Sequence, residues 1–113
     1  MEPEFGISER RHEGLSVITP VGEIDVATAP ALRDHLAKVI ERDSGPVVVD
    51  LTSVTFIDST GLGVLIGAQK NCDAAERELR IVVSEPRIRK VFDITGLTDH
   101  FAMHESLEPA LRA

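Results

Sequence analysis

Two adjacent hydroxyls, Ser59 and Thr60, stand between an aspartate, Asp58, and a glycine, Gly61, where the character of the chain changes. The octet Phe56-Ile57-Asp58-Ser59-Thr60-Gly61-Leu62-Gly63 follows the apolar run Val47-Val48-Val49-Asp50-Leu51 and opens an amphipathic stretch. A loop turning into a helix offers free backbone N–H groups and the positive end of the helix dipole. Both suit an anionic group held at this exposed place. Ser59 or Thr60 is expected to cap the helix through its side-chain oxygen, and Gly61 removes bulk beside it. A bare Asp-Ser-Thr-Gly has a plainer reading, in which the residues are an N-cap and nothing more.

The elements that position the octet follow from hydropathy period. Phe5 and Ile7 alternate with polar residues and predict a short edge strand; residues 11–14 turn, and residues 15–21 form a second strand paired with it as a hairpin. Pro20 has no N–H, which leaves that strand end unpaired on one side. Gly22-Glu23-Ile24-Asp25 leads into a helix whose apolar stripe is Leu32, Leu36, Val39 and Ile40, stopped by Asp43-Ser44-Gly45-Pro46. The run 47–51 reads as a buried central strand, and a helix carrying Leu62, Leu65, Ile66 and Gln69 continues to about Ala75. Residues 79–83 form a further strand. Pro86 starts a helix with Ile88, Val91 and Phe92, and Gly96 suits its left-handed C-cap. Phe101 and Met103 predict a last short strand, and Ser106 a cap for a terminal helix. The order β-β-α-β-α-β-α-β-α implies parallel pairing with right-handed crossovers, plus one antiparallel hairpin. The expected fold class is therefore α/β, a mixed four- to five-stranded sheet with about four helices, in a single domain over residues 1–113.

Composition narrows the function. The chain has 113 residues, room for one core. A net charge of −7 with only 4% aromatics argues against direct nucleic-acid binding, since a phosphate backbone is repelled and few rings are available for stacking. One cysteine, Cys72, excludes an internal disulfide and fits a reducing compartment. The segment Met1-Glu2-Pro3-Glu4 is acidic without an apolar signal core, and no apolar run approaches a membrane span; the expectation is a cytoplasmic protein that makes no membrane contact.

Other chemistries fail on spacing. In Asp58-Ser59-Thr60-Gly61 two residues separate aspartate from glycine, one too many for an aspartic protease triplet. The residue two before Ser59 is Ile57, so no hydrolase elbow exists, and no P-loop sequence is present. Asp50 ends a strand as a receiver-domain phosphoacceptor does, yet neither the acidic pair nor the lysine of such a site is evident; it reads as structural. His100 and His104 lack a third ligand, so no metal and no cofactor is expected. Cys72 falls near the apolar stripe of its helix and reads as a packing residue.

Four marks occur together, in order: Gly22-Glu23-Ile24-Asp25, the strand end Asp50-Leu51, the octet, and Phe92-Asp93-Ile94-Thr95-Gly96-Leu97. In this the chain resembles, from about residue 5 to 112, the bacterial anti-sigma factor antagonists of the STAS family. The resemblance implies a regulatory binding protein and not an enzyme. Unphosphorylated, such a protein binds an anti-sigma factor that is also a serine kinase, and a sigma factor is freed. Phosphorylation of the serine directly after the motif aspartate, here Ser59, breaks the complex, and a phosphatase resets it. Thr60 replaces a serine common at the next position and offers an alternative acceptor. A glycine pair frequent before the family's fourth strand reads Ala75-Glu76-Arg77-Glu78 here, so that turn is expected to differ. Asp58, Thr60, Gly61 and Leu62 are expected to surround the site as partner-binding residues, bordered by Glu23 and Asp25. For Asp25 a helix cap is the equal alternative. The expected state is a monomer or weak dimer. Two rivals remain: a scaffold subunit of a stress-signalling assembly, which would associate stably, and a small-nucleotide binder, which would bind nucleotide without a partner.

Overall fold

The computed structural model describes residues 4–113, so the expectation for the first three residues lies outside them. A hairpin of β1 (Gly6–His12) and β2 (Leu15–Ile24) opens the fold, followed by α1 (Ala29–Arg42), β3 (Val47–Asp50), β4 (Val54–Ile57) and α2 (Ser59–Ala74). β5 (Leu79–Val82), α3 (Pro86–Ile94), β6 (Ala102–His104) and α4 (Leu107–Arg112) complete it. The hairpin turn is made by Glu13 and Gly14, both at positive φ (48° and 85°), the geometry whose twist matches paired strands.

The sheet runs β1-β2-β3-β5-β6, antiparallel at the hairpin and parallel elsewhere, and β4 pairs with β2 off this path. The α/β class, the mixed sheet and the four helices agree with the sequence. The sheet has one strand more than the expected four to five, because residues 54–57, not expected as a strand, form β4. β2 is long enough to serve two neighbours on one side. Its residues 16–18 pair with β3 and its residues 22–24 with β4, with a register shift between Gly22 and Glu23. Pro20 lies in the gap between those two ladders, opposite Ile7 of β1. The strand therefore does not end there; the missing N–H falls where only β1 is alongside.

Alternation along the strands divides the core. Ile18, Val47, Val49 and Ile81 face α1, α2 and α3 in one large apolar cluster, while Val17, Val48 and Val82 face the small α4 through Ala110, Leu107 and Leu111. The expected stripe of α1 is buried as read, at Leu32, Leu36, Val39 and Ile40. Cys72 is fully buried on α2, and burial pushes its thiol up to about 11. Asp50 is also buried; its Oδ1 accepts the backbone N–H of Thr52 at 3.0 Å, closing the turn after β3. Gly96 takes the left-handed conformation expected of it, at φ 74°. Ser106 precedes α4 as its N-cap residue without a side-chain capping bond.

The turn before β5 differs from a glycine turn as expected. Glu76 itself adopts positive φ (57°), and the next residue, Arg77, turns its guanidinium inward. It donates to the carbonyls of Val39 (2.8 Å), Ser44 (3.1 Å) and Gly45 (2.6 Å) and to the Ser16 hydroxyl (3.1 Å). These carbonyls lie at and just beyond the C-terminus of α1, where acceptors lack intrahelical partners.

Candidate functional site

β2 and β4 are adjacent and parallel, and their last paired residues are Ile24 and Ile57. The chain leaves each strand through an aspartate, Asp25 and Asp58, so both loops emerge at one end of the sheet. The Asp58 N–H donates to the Ile24 carbonyl at 3.3 Å and ties the two exits together.

Asp58 is the N-cap of α2. Its backbone is extended (φ −113°), and its Oδ1 accepts the N–H groups of Thr60 at 2.9 Å and Gly61 at 3.3 Å. This corrects the expectation that Ser59 or Thr60 supplies the cap: the capping oxygen comes from the residue before. A carboxylate is a stronger acceptor than a hydroxyl and complements the dipole, so it takes the role. Ser59 is thereby released to the first helical position. It is exposed, and its hydroxyl makes no hydrogen bond among the described residues. Thr60 is exposed as well.

Gly61 and Leu62 turn inward. A Cβ at Gly61 would come within 2.7 Å of both Ile24 Cγ2 and Ile57 Cγ1, so only glycine lets the first turn of α2 sit on the ends of β2 and β4. Leu62 is 4% exposed and packs in the main core. These two, expected among the residues around the site, position Ser59 from beneath and present no side chain to the surface.

Asp25 repeats the pattern one strand over. Its Oδ1 accepts the N–H groups of Ala27 at 2.9 Å and Thr28 at 3.2 Å, and its carbonyl accepts that of Ala29 at 2.8 Å. It caps the turn ahead of α1 rather than the helix itself, whose N-cap residue is Thr28. The Thr28 hydroxyl donates to the Glu23 carbonyl at 2.7 Å and accepts the Asp25 N–H at 2.9 Å, locking this loop. Glu23 is half-buried and stands beside Phe56 in the ladder. Glu23, Asp25, Asp58 and Ser59 thus share one acidic end of the sheet.

Two apolar side chains belong to this surface and were not singled out from the sequence. Val26 is 75% exposed beside Asp25, and Phe56 is 46% exposed on β4. They place apolar area in water next to the acidic loops. The signal for Phe56 was its place in a four-residue strand, visible only once β4 is recognised; Val26 has no periodic signal. From Thr60 an open groove of about 430 Å3 runs between α1 and α2. His100 and His104 belong to no group of three or more ligating side chains among the described residues.

A mixed sheet whose β2 and β4 exits present an aspartate-capped serine defines a small α/β module. The STAS domain family matches residues 7–110. The chain is 35% identical over 97 residues to the "Anti-sigma-B factor antagonist" of Staphylococcus epidermidis, covering 86% of this chain and 90% of that protein. It superposes on an anti-sigma factor antagonist from Mycobacterium paratuberculosis with a TM-score of 0.89 at 30% identity, over 96% and 92% of the two chains. The same fold occurs in the Bacillus cell fate determinant SpoIIAA in its phosphorylated form, at a TM-score of 0.69 and 22% identity, over 96% and 97% of the two chains. The chain belongs to the STAS-domain family of anti-sigma factor antagonists.

Proposed function

We propose that the Ser59 surface binds an anti-sigma factor that is also a serine kinase, so that a sigma factor is released. Phosphorylation of Ser59 by that partner then ends the complex, and a phosphatase restores it. The chain is on this reading a cytoplasmic regulator and kinase substrate, monomeric or weakly dimeric, and not a catalyst. No helix among its described residues is long and apolar enough to cross a membrane. The observation that carries the reading is the exposed, unengaged Ser59 hydroxyl at the first position of a 16-residue helix capped by its neighbour. Support also comes from the staphylococcal relative's name and from the phosphorylated form of SpoIIAA.

The switch needs no large rearrangement. A phosphate adds about −1.5 to −2 charges at pH 7. The α2 N-terminus tolerates it, while Asp58 and Asp25 oppose it. A partner that buries this end must then desolvate a near-dianion, at several kcal/mol unless cations await it. A loss of about 3 kcal/mol weakens binding roughly 100-fold. The test is a pull-down with wild type, Ser59→Ala and Ser59→Glu as baits, with circular dichroism to confirm folding. Wild type and Ser59→Ala should capture an anti-sigma kinase that Ser59→Glu does not. Identical capture by all three reduces Ser59 to a plain helix residue.

A further inference from the structure

The groove between α1 and α2 is open at the surface and floored by small residues, among them Ala37, Gly63, Gly67 and Ala68. Gly61 is demanded by its own fold, but Gly63 and Gly67 are not. A Cβ added at either meets nothing within 4 Å, and neither residue has positive φ. Glycine is the poorest helix former after proline, so two of them inside α2 keep the groove shallow at the expense of the helix. The groove is also cationic in a chain of net charge −7. Arg33 of α1 lies along it, exposed and among the described residues paired only with its neighbour Asp34 at 3.2 Å, and exposed Lys70 of α2 stands further down. Lys70 follows Gly63 by seven residues, about 10 Å along the axis. The groove begins at Thr60, and Ser59, Gly63 and Gly67 follow one another at four-residue spacing along one ridge of α2.

We propose that this groove seats a helix of the anti-sigma factor, a refinement that rests on the function proposed above. The helix lies with its small or apolar face close to the backbone at Gly63 and Gly67, and carries acidic side chains opposite Arg33 and Lys70. A second copy of this chain fits worse, since a symmetric pairing of the grooves brings their cations together. A helix so placed passes beside Ser59, and phosphate there has the same sign as its acidic side chains. Phosphorylation then acts by repulsion as well as by desolvation.

The test is calorimetric titration of the purified anti-sigma factor with wild type, Ser59→Glu, Gly67→Leu, Arg33→Glu and Lys70→Glu, with thermal melts of Gly63→Ala and Gly67→Ala. Gly67→Leu should weaken binding about 30-fold or more and each charge reversal about 10-fold, the latter with a flatter salt dependence. The alanine variants should melt about 4 °C higher than wild type, showing that the groove glycines serve contact and not folding. If Ser59→Glu fails to bind while Gly67→Leu and both reversals stay within about threefold of wild type, the phosphoswitch stands and the groove assignment falls. If the groove variants lose affinity and Ser59→Glu binds normally, the groove stands and the phosphoswitch falls. No heat of binding between wild type and the anti-sigma factor removes both. A wild-type dimer in sedimentation that Gly67→Leu abolishes gives the groove to a second copy instead.

Discussion

Asp25 and Asp58 are structural counterparts. Each is the first residue after a paired isoleucine on two adjacent parallel strands, and each uses Oδ1 to accept two backbone N–H groups of the turn that follows. The Asp58 N–H reaches the Ile24 carbonyl, so the two turns are built on one another. Ser59 is fixed in space by this pair of turns, although neither aspartate bonds to its hydroxyl. The acidic character of the surface thus follows from its architecture: the residues that hold the loops are carboxylates because carboxylates accept two amides well.

Replacing either aspartate by alanine removes acceptors for two amides. Asp58→Ala is expected to lower stability by about 1 kcal/mol, as for other lost N-caps, and Asp25→Ala by a similar amount. Because the turns share the Asp58–Ile24 bond, the double variant should depart from additivity by about 0.5 kcal/mol or more. Urea denaturation of the four proteins of the cycle measures this; strict additivity would mean that the two turns are independent.

Gly61 and Gly63 are two residues apart and should respond oppositely to alanine. At Gly61 the methyl meets Ile24 and Ile57 at 2.7 Å, and their β-branched atoms have little room to yield. Destabilisation of about 2 kcal/mol is expected from overpacking. At Gly63 the methyl enters open space, and the helix gains about 0.5–1 kcal/mol. Melting curves of the two variants should therefore fall on opposite sides of wild type.

The period of the sequence carried the helices and the hairpin. Leu32, Leu36, Val39 and Ile40 are buried in the order read. What escaped was decided by tertiary pairing. Val54–Ile57 is only four residues long, and it becomes a strand because β2 outlasts β3 and leaves a ladder position open. Half of its residues, Thr55 and Phe56, are exposed, so no alternation signals it. At the site the exposed position of the serine was legible, but the cap was misplaced by one residue, since Asp, Ser and Thr are all good caps and only the backbone turn chooses among them. The inward turn of Leu62 depends on that same choice, because it sets the face of α2 that meets the core.

Ionisation of Glu9 should couple β1 to α1. Its carboxylate bonds to Arg42 and accepts from His35 Nε2 at 2.8 Å, and the Arg42 hydrogen bond is the main cause that holds its carboxyl below the ordinary value of 4.5. A depressed carboxylate stabilises the fold above its unfolded value, and this contribution disappears as pH falls through the folded value. The stability gap between wild type and Glu9→Gln should therefore be constant near neutrality and close progressively below pH 4.5. Denaturant midpoints from pH 7 to pH 3 test it; a gap unchanged across that range would show that the bond to Arg42 does not depend on charge.

The turn before β5 sets a strained residue beside an indispensable one. Glu76 occupies left-handed backbone space, where a non-glycine residue costs about 1 kcal/mol, and it is exposed. Glu76→Gly should therefore leave the fold as stable or improve it by up to about 1 kcal/mol, although glycine also loosens the unfolded chain. Arg77 has the opposite standing. Its buried guanidinium serves four carbonyls around the end of α1, those of Val39, Ile40, Ser44 and Gly45, and the hydroxyl of Ser16; the bonds to Val39, Ile40 and Ser16 are buried, so those acceptors lose their partner where water is excluded. Arg77→Met should cost about 3 kcal/mol, the range for orphaned buried groups. Arg77→Lys should recover only part of that, because an ammonium has three donors at one point where the guanidinium spreads its donors over a fork. Amide exchange at the C-terminal turn of α1 would localise the effect. Faster exchange there in Arg77→Lys, with the Ser59 end of α2 unchanged, is the expected pattern; uniform acceleration would mean that Arg77 acts on the whole core and not on the end of α1.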